Sequence, residues 1–193
     1  LDLSRIPGAV SPPVTGRITP VFGATEMPET VELKVQSGIA PGWLAFGSVK
    51  WVNWSILQSI PFCPQATRGI ACTTTGPTRA TSLDLLYRDG WTVSGGIGHK
   101  INEQWSAAAS LTWDRGTSQG FGHQADSWTL GGGVAYTPNE NVEMRLSGAL
   151  GILTSGESGA IVGDDGRVYG NDISYTFDND LVGALSASMK VKW

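Results

Sequence analysis

WSAAASLTWD (Trp105–Asp114) and, after a loop rich in Gly, Ser and Gln, SWTLGGGVAY (Ser127–Tyr136) share one alternating pattern, and the fold of this chain follows from it. Every second residue of the first, Trp105, Ala107, Ala109, Leu111 and Trp113, makes an apolar face. Ser106, Ala108, Ser110, Thr112 and Asp114 make the other, and this period of two predicts a β-strand with unlike faces. Trp128, Leu130, Gly132, Val134 and Tyr136 repeat the pattern opposite Ser127, Thr129, Gly131, Gly133 and Ala135. In both stretches aromatics stand eight residues apart on the apolar face. At ~3.3 Å per residue and a tilt of about 40°, that spacing covers roughly 20 Å, close to the apolar band between the aromatic girdles of an outer-membrane barrel. A soluble sandwich also alternates, but nothing in it ties aromatics to both ends of the outward face.

Composition agrees with an all-β chain. The 193 residues include 26 Gly and 10 Pro, a turn-rich balance that disfavours helices. A net charge of −4 provides no basic patch for nucleic acid. Mean hydropathy near zero, −0.05, is what a barrel shows, because its lipid face occupies only every second residue. No stretch is long and apolar enough for a transmembrane helix. The chain opens Leu1-Asp2-Leu3-Ser4-Arg5 without the features of a signal peptide, so an exported protein that begins this way is expected to be mature or truncated. The cysteines, Cys63 and Cys72, share one polar loop; a disulfide is expected outside the cytoplasm, and two unpaired thiols are the alternative.

Residues 1–26, with Pro7, Pro12, Pro13 and Pro20, read as an extracellular loop and lead-in, with a short extended segment near Arg17–Phe22 that is given no barrel strand. Barrel is expected over 27–193. Val31, Leu33, Val35, Ser37 and Ile39 alternate with Thr30, Glu32, Lys34 and Gln36 up to a tight Ala40-Pro41-Gly42 turn. Trp43, Ala45, Gly47, Val49 and Trp51 then face lipid, and Leu44, Phe46, Ser48, Lys50, Val52 and Trp54 face the other way. Residues 56–81 form a long loop, with an extended run from Ser82. Trp91 to Ile101 alternates again and turns at Asn102-Glu103 into the Trp105 strand. Thr137-Pro138-Asn139-Glu140-Asn141 is a further turn, followed by Val142–Ile152, a second long loop over 154–179, and a last strand from Leu181 to Trp193.

Short turns near 40, 103 and 139 thus alternate with long loops at 56–81, 116–125 and 154–179, the asymmetry of periplasmic turns against extracellular loops. Trp43, Trp105, Tyr136 and Trp193 form the expected periplasmic girdle, and Trp51, Trp91, Trp113 and Trp128 the outer one. No lipid-facing position within the band carries a formal charge. Seven strands is an odd count, whereas bacterial single-chain barrels have even ones. The expectation is therefore the C-terminal half of a longer antiparallel transmembrane β-barrel, with the signal peptide in the other half. The alternative is a complete eight-stranded barrel with residues 17–23 as the extra strand.

Met27-Pro28-Glu29 entering a strand, Ala40-Pro41-x-Trp43 at a turn and Trp54-Ser55 after the next strand resemble the C-terminal half of the FadL/TodX-type outer-membrane transporters. The spacing of the later hairpins and the aromatic last residue, Trp193, are similar too. The resemblance covers roughly residues 17–193, with Ala40–Ser55 its most specific part. It implies a fourteen-stranded barrel with an N-terminal plug in a Gram-negative outer membrane, carrying long-chain fatty acids or other hydrophobic molecules inward and sideways into the bilayer. Neither the plug nor the strand that opens the wall would lie in this chain. An aspartate ends the family's equivalent of the Trp105 strand, and Asp114 stands there. Where a basic residue often lies near the loop-to-strand junction, this sequence has Ser82, with Arg79 the nearest replacement.

The candidate substrate-contacting residues are accordingly Phe46, Val52, Trp54, Lys50, Arg79 and Asp114. An apolar lumen suits an apolar cargo, since such pockets bind by removing area from water at ~25 cal/mol per Å²; packing against a plug explains the same side chains equally well. Basic lumen residues could hold a carboxylate head, although neighbours such as Glu143 and Arg145 more often balance each other. Asp164, Asp165, Asn171 and Asp172 lack EF-hand spacing and read as a solvated loop. The glycines of 95–98 and 131–133 lie in strands without a following helix, so no nucleotide loop is expected. His99 and His123 lie apart with no nucleophile beside them, so no hydrolase triad is read. The expected protein is not an enzyme, has no cofactor or metal, and meets a hydrophobic small molecule and outer-membrane lipid as a full-length monomer. The competing reading is a structural or adhesive barrel whose long loops bind external partners.

Overall fold

In a computed structural model of the chain, residues 18–119, 124–163, 166–169 and 174–193 are described. Seven long strands form one antiparallel sheet: β1 Thr30–Ala40, β2 Trp43–Val52, β3 Gly90–Lys100, β4 Trp105–Asp114, β5 Ser127–Asn139, β6 Val142–Leu153 and β7 Asp180–Val191. Each strand pairs with its neighbour in sequence, so the wall is a meander whose edges are β1 and β7. Among the described residues neither edge finds a second partner, and the sheet does not close on itself. Among the described residues regular helix is limited to two 3-10 turns, and no helix is long and apolar enough to cross a membrane.

Local chemistry explains the hairpins. Pro41 fixes its own φ, and Gly42 at φ +75° takes the left-handed position that closes the β1–β2 turn. The Asn102 side chain accepts from the amides of Gln104 and Trp105 at 2.9 and 2.8 Å, an Asx turn that launches β4. Asn139 does the same for Asn141 at 3.0 Å. All three tight turns lie at one end of the sheet, and the three long connections, 53–89, 115–126 and 154–179, lie at the other.

Register places residues of one parity in continuous rows across the wall. Leu33, Val49, Val93, Trp113, Trp128, Ile152 and Leu181 form one row, and Val35, Gly47, Gly95, Leu111, Leu130, Leu150 and Gly183 form the next. Neither row contains a charge, and Leu111, Leu130 and Leu150 remain exposed. Fully buried hydrophobic side chains are confined to Cys63 and Leu86 among the described residues, and neither belongs to the wall. The wall therefore has no soluble core behind it. Its apolar face requires another apolar phase, and its stability rests on the interstrand ladders and cross-strand pairs.

The aromatics meet in pairs at the two margins. Trp105 stacks on Tyr136 with centroids 4.5 Å apart, and Trp43 stacks on His99 at 4.1 Å, both at the turn end. At the loop end Trp113 lies 6.4 Å from Trp128, and Trp51 is directly opposite Trp91. Such belts are the interfacial anchors of barrels.

Several expectations need correction. Strand β2 ends at Val52, so Trp54 does not continue its inner face; it opens a 3-10 turn, Trp54–Ile56. Thr137 and Pro138 remain inside β5, where the register shifts between Tyr136 and Asn139 absorb the proline, and the turn is reduced to Glu140-Asn141. Trp193 lies beyond the end of β7. The loop read over 56–81 is itself folded: Ser59–Pro64 pairs with Val21–Phe22 on one side and with Thr81–Asp84 on the other. Val21–Phe22 thus belongs to this loop sheet rather than to the wall, which removes the eight-stranded alternative. A Cys63–Cys72 disulfide ties the loop sheet together, with Cys63 fully buried and the Arg68 guanidinium 5.9 Å above the Phe22 ring. The last loop carries two small ladders, Gly156–Ser158 with Tyr175–Phe177 and Ile161–Val162 with Val168–Tyr169.

Candidate functional site

The inner parity of the wall is built in tiers. Toward the long loops, Glu32, Lys50, Thr92, Asp114 and Ser127 stand side by side in register on β1 to β5. The Thr92 hydroxyl donates to Asp114 Oδ2 at 2.5 Å. Lys50 and Asp114 are two strands apart, roughly 10 Å at the usual interstrand spacing. The tier below is a ladder of hydroxyls, Ser48, Ser94, Thr112 and Thr129, with Ser48 and Ser94 hydrogen-bonded at 2.8 Å.

Mid-height changes character. Phe46 faces Gly96, Ser110, Gly131 and Ala149 along one row, and Leu44 faces Gly98, Ala108, Gly133 and Ser147 along the next. Small residues on β3 to β6 leave a concavity of about 840 Å³ in which Leu44 and Phe46 are the bulky apolar groups of this parity. Toward the tight turns the lining becomes charged: Arg145 donates to Glu143, and Lys100 meets both oxygens of Glu103 at 3.1 Å. The balancing of Glu143 by Arg145 is therefore present in the structure.

The six candidate residues separate accordingly. Lys50 and Asp114 share the charged tier, and Val52 lies one step above it, nearer the long loops and opposite Gly90. Phe46 lies two tiers below Lys50, with Ser48 between them on β2. Trp54 packs its ring edge-on against Tyr87, centroids 5.7 Å apart, and close to Gly90. Arg79 lies just before the Thr81–Asp84 strand of the loop sheet, its guanidinium 3.4 Å from the Ser82 hydroxyl. Ser48 and Lys50 interrupt the apolar run from Val52 to Phe46, so this wall carries no continuous apolar track from its loops to its middle. His99 is held at the turn end by Gly42 O at 3.1 Å; His123 and the oxygen-bearing loop residues Asp164, Asp165, Asn171 and Asp172 lie outside the described residues.

Two features of the rim leave no periodic trace in the sequence. Asp89 accepts from Trp51 Nε1 at 3.0 Å and from the Ser55 amide at 3.3 Å. Hydrogen bonding from Ser55 holds its carboxyl below the ordinary value of 3.8; partial burial opposes this, and Trp51 and Arg115 reinforce it. Arg88 and Asp126 form an ion pair at 3.1 Å, with about 30 % of each side chain exposed, joining loops 38 residues apart. A run such as Tyr87-Arg88-Asp89 before a girdle tryptophan is the only local hint.

No family model and no curated protein sequence matches the chain. Solved structures do. A FadL homologue from Pseudomonas aeruginosa superposes with a TM-score of 0.55 at 18% identity, over 85% of this chain and 36% of that one. The toluene transporter TbuX of Ralstonia pickettii gives 0.50 at 16%, over 86% and 33%. The toluene transporter TodX of P. putida gives 0.50 at 14%, over 89% and 36%. The fold is that of the FadL-type outer-membrane β-barrels. This chain spans about a third of the length of the structures it matches, as one wall of such a barrel.

Proposed function

We propose that the chain is the C-terminal half of a bacterial outer-membrane barrel that passively admits long-chain fatty acids or other hydrophobic small molecules. Six successive antiparallel pairings leave β1 and β7 running in the same direction. An odd number of further strands must therefore fill the gap to keep closure antiparallel, and seven more would make an even, fourteen-stranded barrel. Two copies of this wall alone would meet through parallel seams. An unpaired edge in hydrocarbon costs several kcal/mol per exposed backbone group, about as strong a demand for those strands as the bilayer can make.

The observation that carries the transport reading is the mid-height concavity, cleared by Gly, Ala and Ser and bordered by Leu44 and Phe46, inside a wall whose other face is apolar between aromatic margins. Cargo would pass the rim at Trp54 and Val52 and reach Phe46, with Lys50 or Arg79 available to a carboxylate head and Asp114 bounding the upper tier. Likeness to a FadL homologue and to two toluene transporters supports the class of cargo. In the intact protein, Phe46→Asp and Trp54→Asp should slow uptake of a long-chain hydrophobic compound at an unchanged amount of folded barrel. The polar tiers at Lys50 and Ser48 favour a second reading, a structural or adhesive barrel with binding loops. Normal uptake in both variants would support it over the route proposed here.

A further inference from the structure

The three long loops are not independent of one another. Leu86, buried and at φ 50°, adopts the left-handed conformation that β-carbon sterics disfavour, and it is the one described non-glycine residue to do so. Its amide and that of Leu85 both donate to Gln58 O, at 2.9 and 2.8 Å, while Gln58 Nε2 donates to the carbonyls of Ser55 and Tyr87, each at 2.7 Å. This knot belongs to the first loop and presents the next residues to the second. Tyr87 forms an isolated antiparallel bridge with Ser118, and the Arg88 amide donates to Thr117 O at 2.9 Å. Arg88 Nε donates to Gly116 O at 2.7 Å and Nη2 to Asp126 Oδ1 at 3.1 Å.

Asp126 extends the connection to Thr154, the first residue of the third loop, next to the Ser127–Leu153 pair that ends the β5–β6 ladder. Its Oδ1 also accepts from the Gly116 amide at 3.1 Å, and its carbonyl accepts from both the amide and the hydroxyl of Thr154, at 2.8 and 3.0 Å. The ends of the second loop cross at Gly116, where a Cβ would stand 1.8 Å from Gln124 O, so no side chain fits at the point where Asp126 reaches across.

We propose that Arg88 is a positioning residue that ties the base of the first outer loop to the base of the second and, through Asp126, to the first residue of the third, a collar that makes the mouth above β3 to β6 a preformed rim rather than a hinged cover. The planar fork of arginine holds a carbonyl and a carboxylate in two fixed directions, whereas the ammonium of lysine is a compact point charge on a flexible stem that fixes neither direction. Both charges are committed to each other and to the Gly116 backbone. Arg88 is thereby removed from any role in binding a cargo head group, which leaves that role to Lys50 and Arg79.

The first arm of the test is independent of transport. In the intact protein, Arg88→Ala and Arg88→Lys should speed amide exchange at Gly116 and Thr154 together, by about tenfold or more for the alanine variant, with the wall strands unchanged. The charge swap Arg88→Asp with Asp126→Arg should restore part of that protection. Faster exchange confined to 86–89, with Gly116 and Thr154 unaltered, would overturn the collar. The second arm rests on the transport reading. Tyr87 and Ser118 face each other at a distance suited to a disulfide. Tyr87→Cys with Ser118→Cys, once joined, should take up a hydrophobic probe such as a fluorescent long-chain fatty acid as fast as the same variant with its new thiols alkylated. Uptake lost only on joining would reject the preformed rim while leaving transport standing. Uptake absent from both forms and from the parent protein would reject transport, with the exchange arm still deciding the collar.

Discussion

The Phe46 ring lies over Gly96 of the neighbouring strand, where a Cβ would stand 2.5 Å from Cζ and 2.5 Å from the Ala109 carbonyl oxygen. Gly96 is therefore the space that the phenyl ring occupies, and the backbone of β4 closes it from the other side. Gly95, one residue earlier and on the lipid face, has nothing within 4 Å of its ideal Cβ. Gly96→Ala should lower the stability of the folded barrel by about 1–3 kcal/mol through overpacking, while Gly95→Ala should stay within about 0.5 kcal/mol. Denaturant midpoints of the two variants check this, and equal midpoints would contradict the placement of Phe46.

The lipid face should show itself through charge. Leu111 stands between Gly95 and Leu130 in an uncharged row and is about half exposed, whereas Ser110 faces the concavity beside Gly96 and Gly131. Leu111→Arg should cost ~2–4 kcal/mol at the bilayer midplane and sharply reduce assembled barrel. Ser110→Arg should assemble near normally. A similar loss in both would mean that the alternation is not a division between hydrocarbon and lumen.

Orientation follows from the segregation of long and short connections. A cysteine introduced at Glu157, exposed in the third loop, should react with an impermeant maleimide on whole cells. One at Asn102 or Glu140, in the tight turns, should react only after the outer membrane is opened. The native cysteines give no background, being joined to each other. Labelling of all three sites in intact cells would refute the assignment.

Asp89 gives the rim an acid sensitivity. Its carboxyl titrates below the ordinary value of 3.8, chiefly through hydrogen bonding from Ser55. A depressed folded-state value means that the contribution of the group to stability is complete above the unfolded value and is lost as pH falls through the folded one. Lowering the pH through this depressed value, below 3.8, should therefore release the Trp51 indole from Asp89, visible as a change in tryptophan fluorescence. Asp89→Asn should remove that acid step, and an identical step in the variant would assign it to another group.

Alternation along the chain is enough to read a wall of strands, its two faces and the end at which the long loops gather. Those properties are local: a period of two, a pair of aromatics eight residues apart and a Pro-Gly or Asn turn are all written in consecutive residues. The register of one strand against the next was not written there, and register alone sets Ser48 beside Ser94, Thr92 beside Asp114 and Phe46 above Gly96. Tertiary structure also decided that β2 ends at Val52, leaving Trp54 to pack on Tyr87 instead of lining the lumen face as the alternation extrapolates. The loop sheet at 59–64 and the Arg88–Asp126 pair were hidden for the same reason. Their stability comes from contacts between segments tens of residues apart, for which no periodicity in either segment is required.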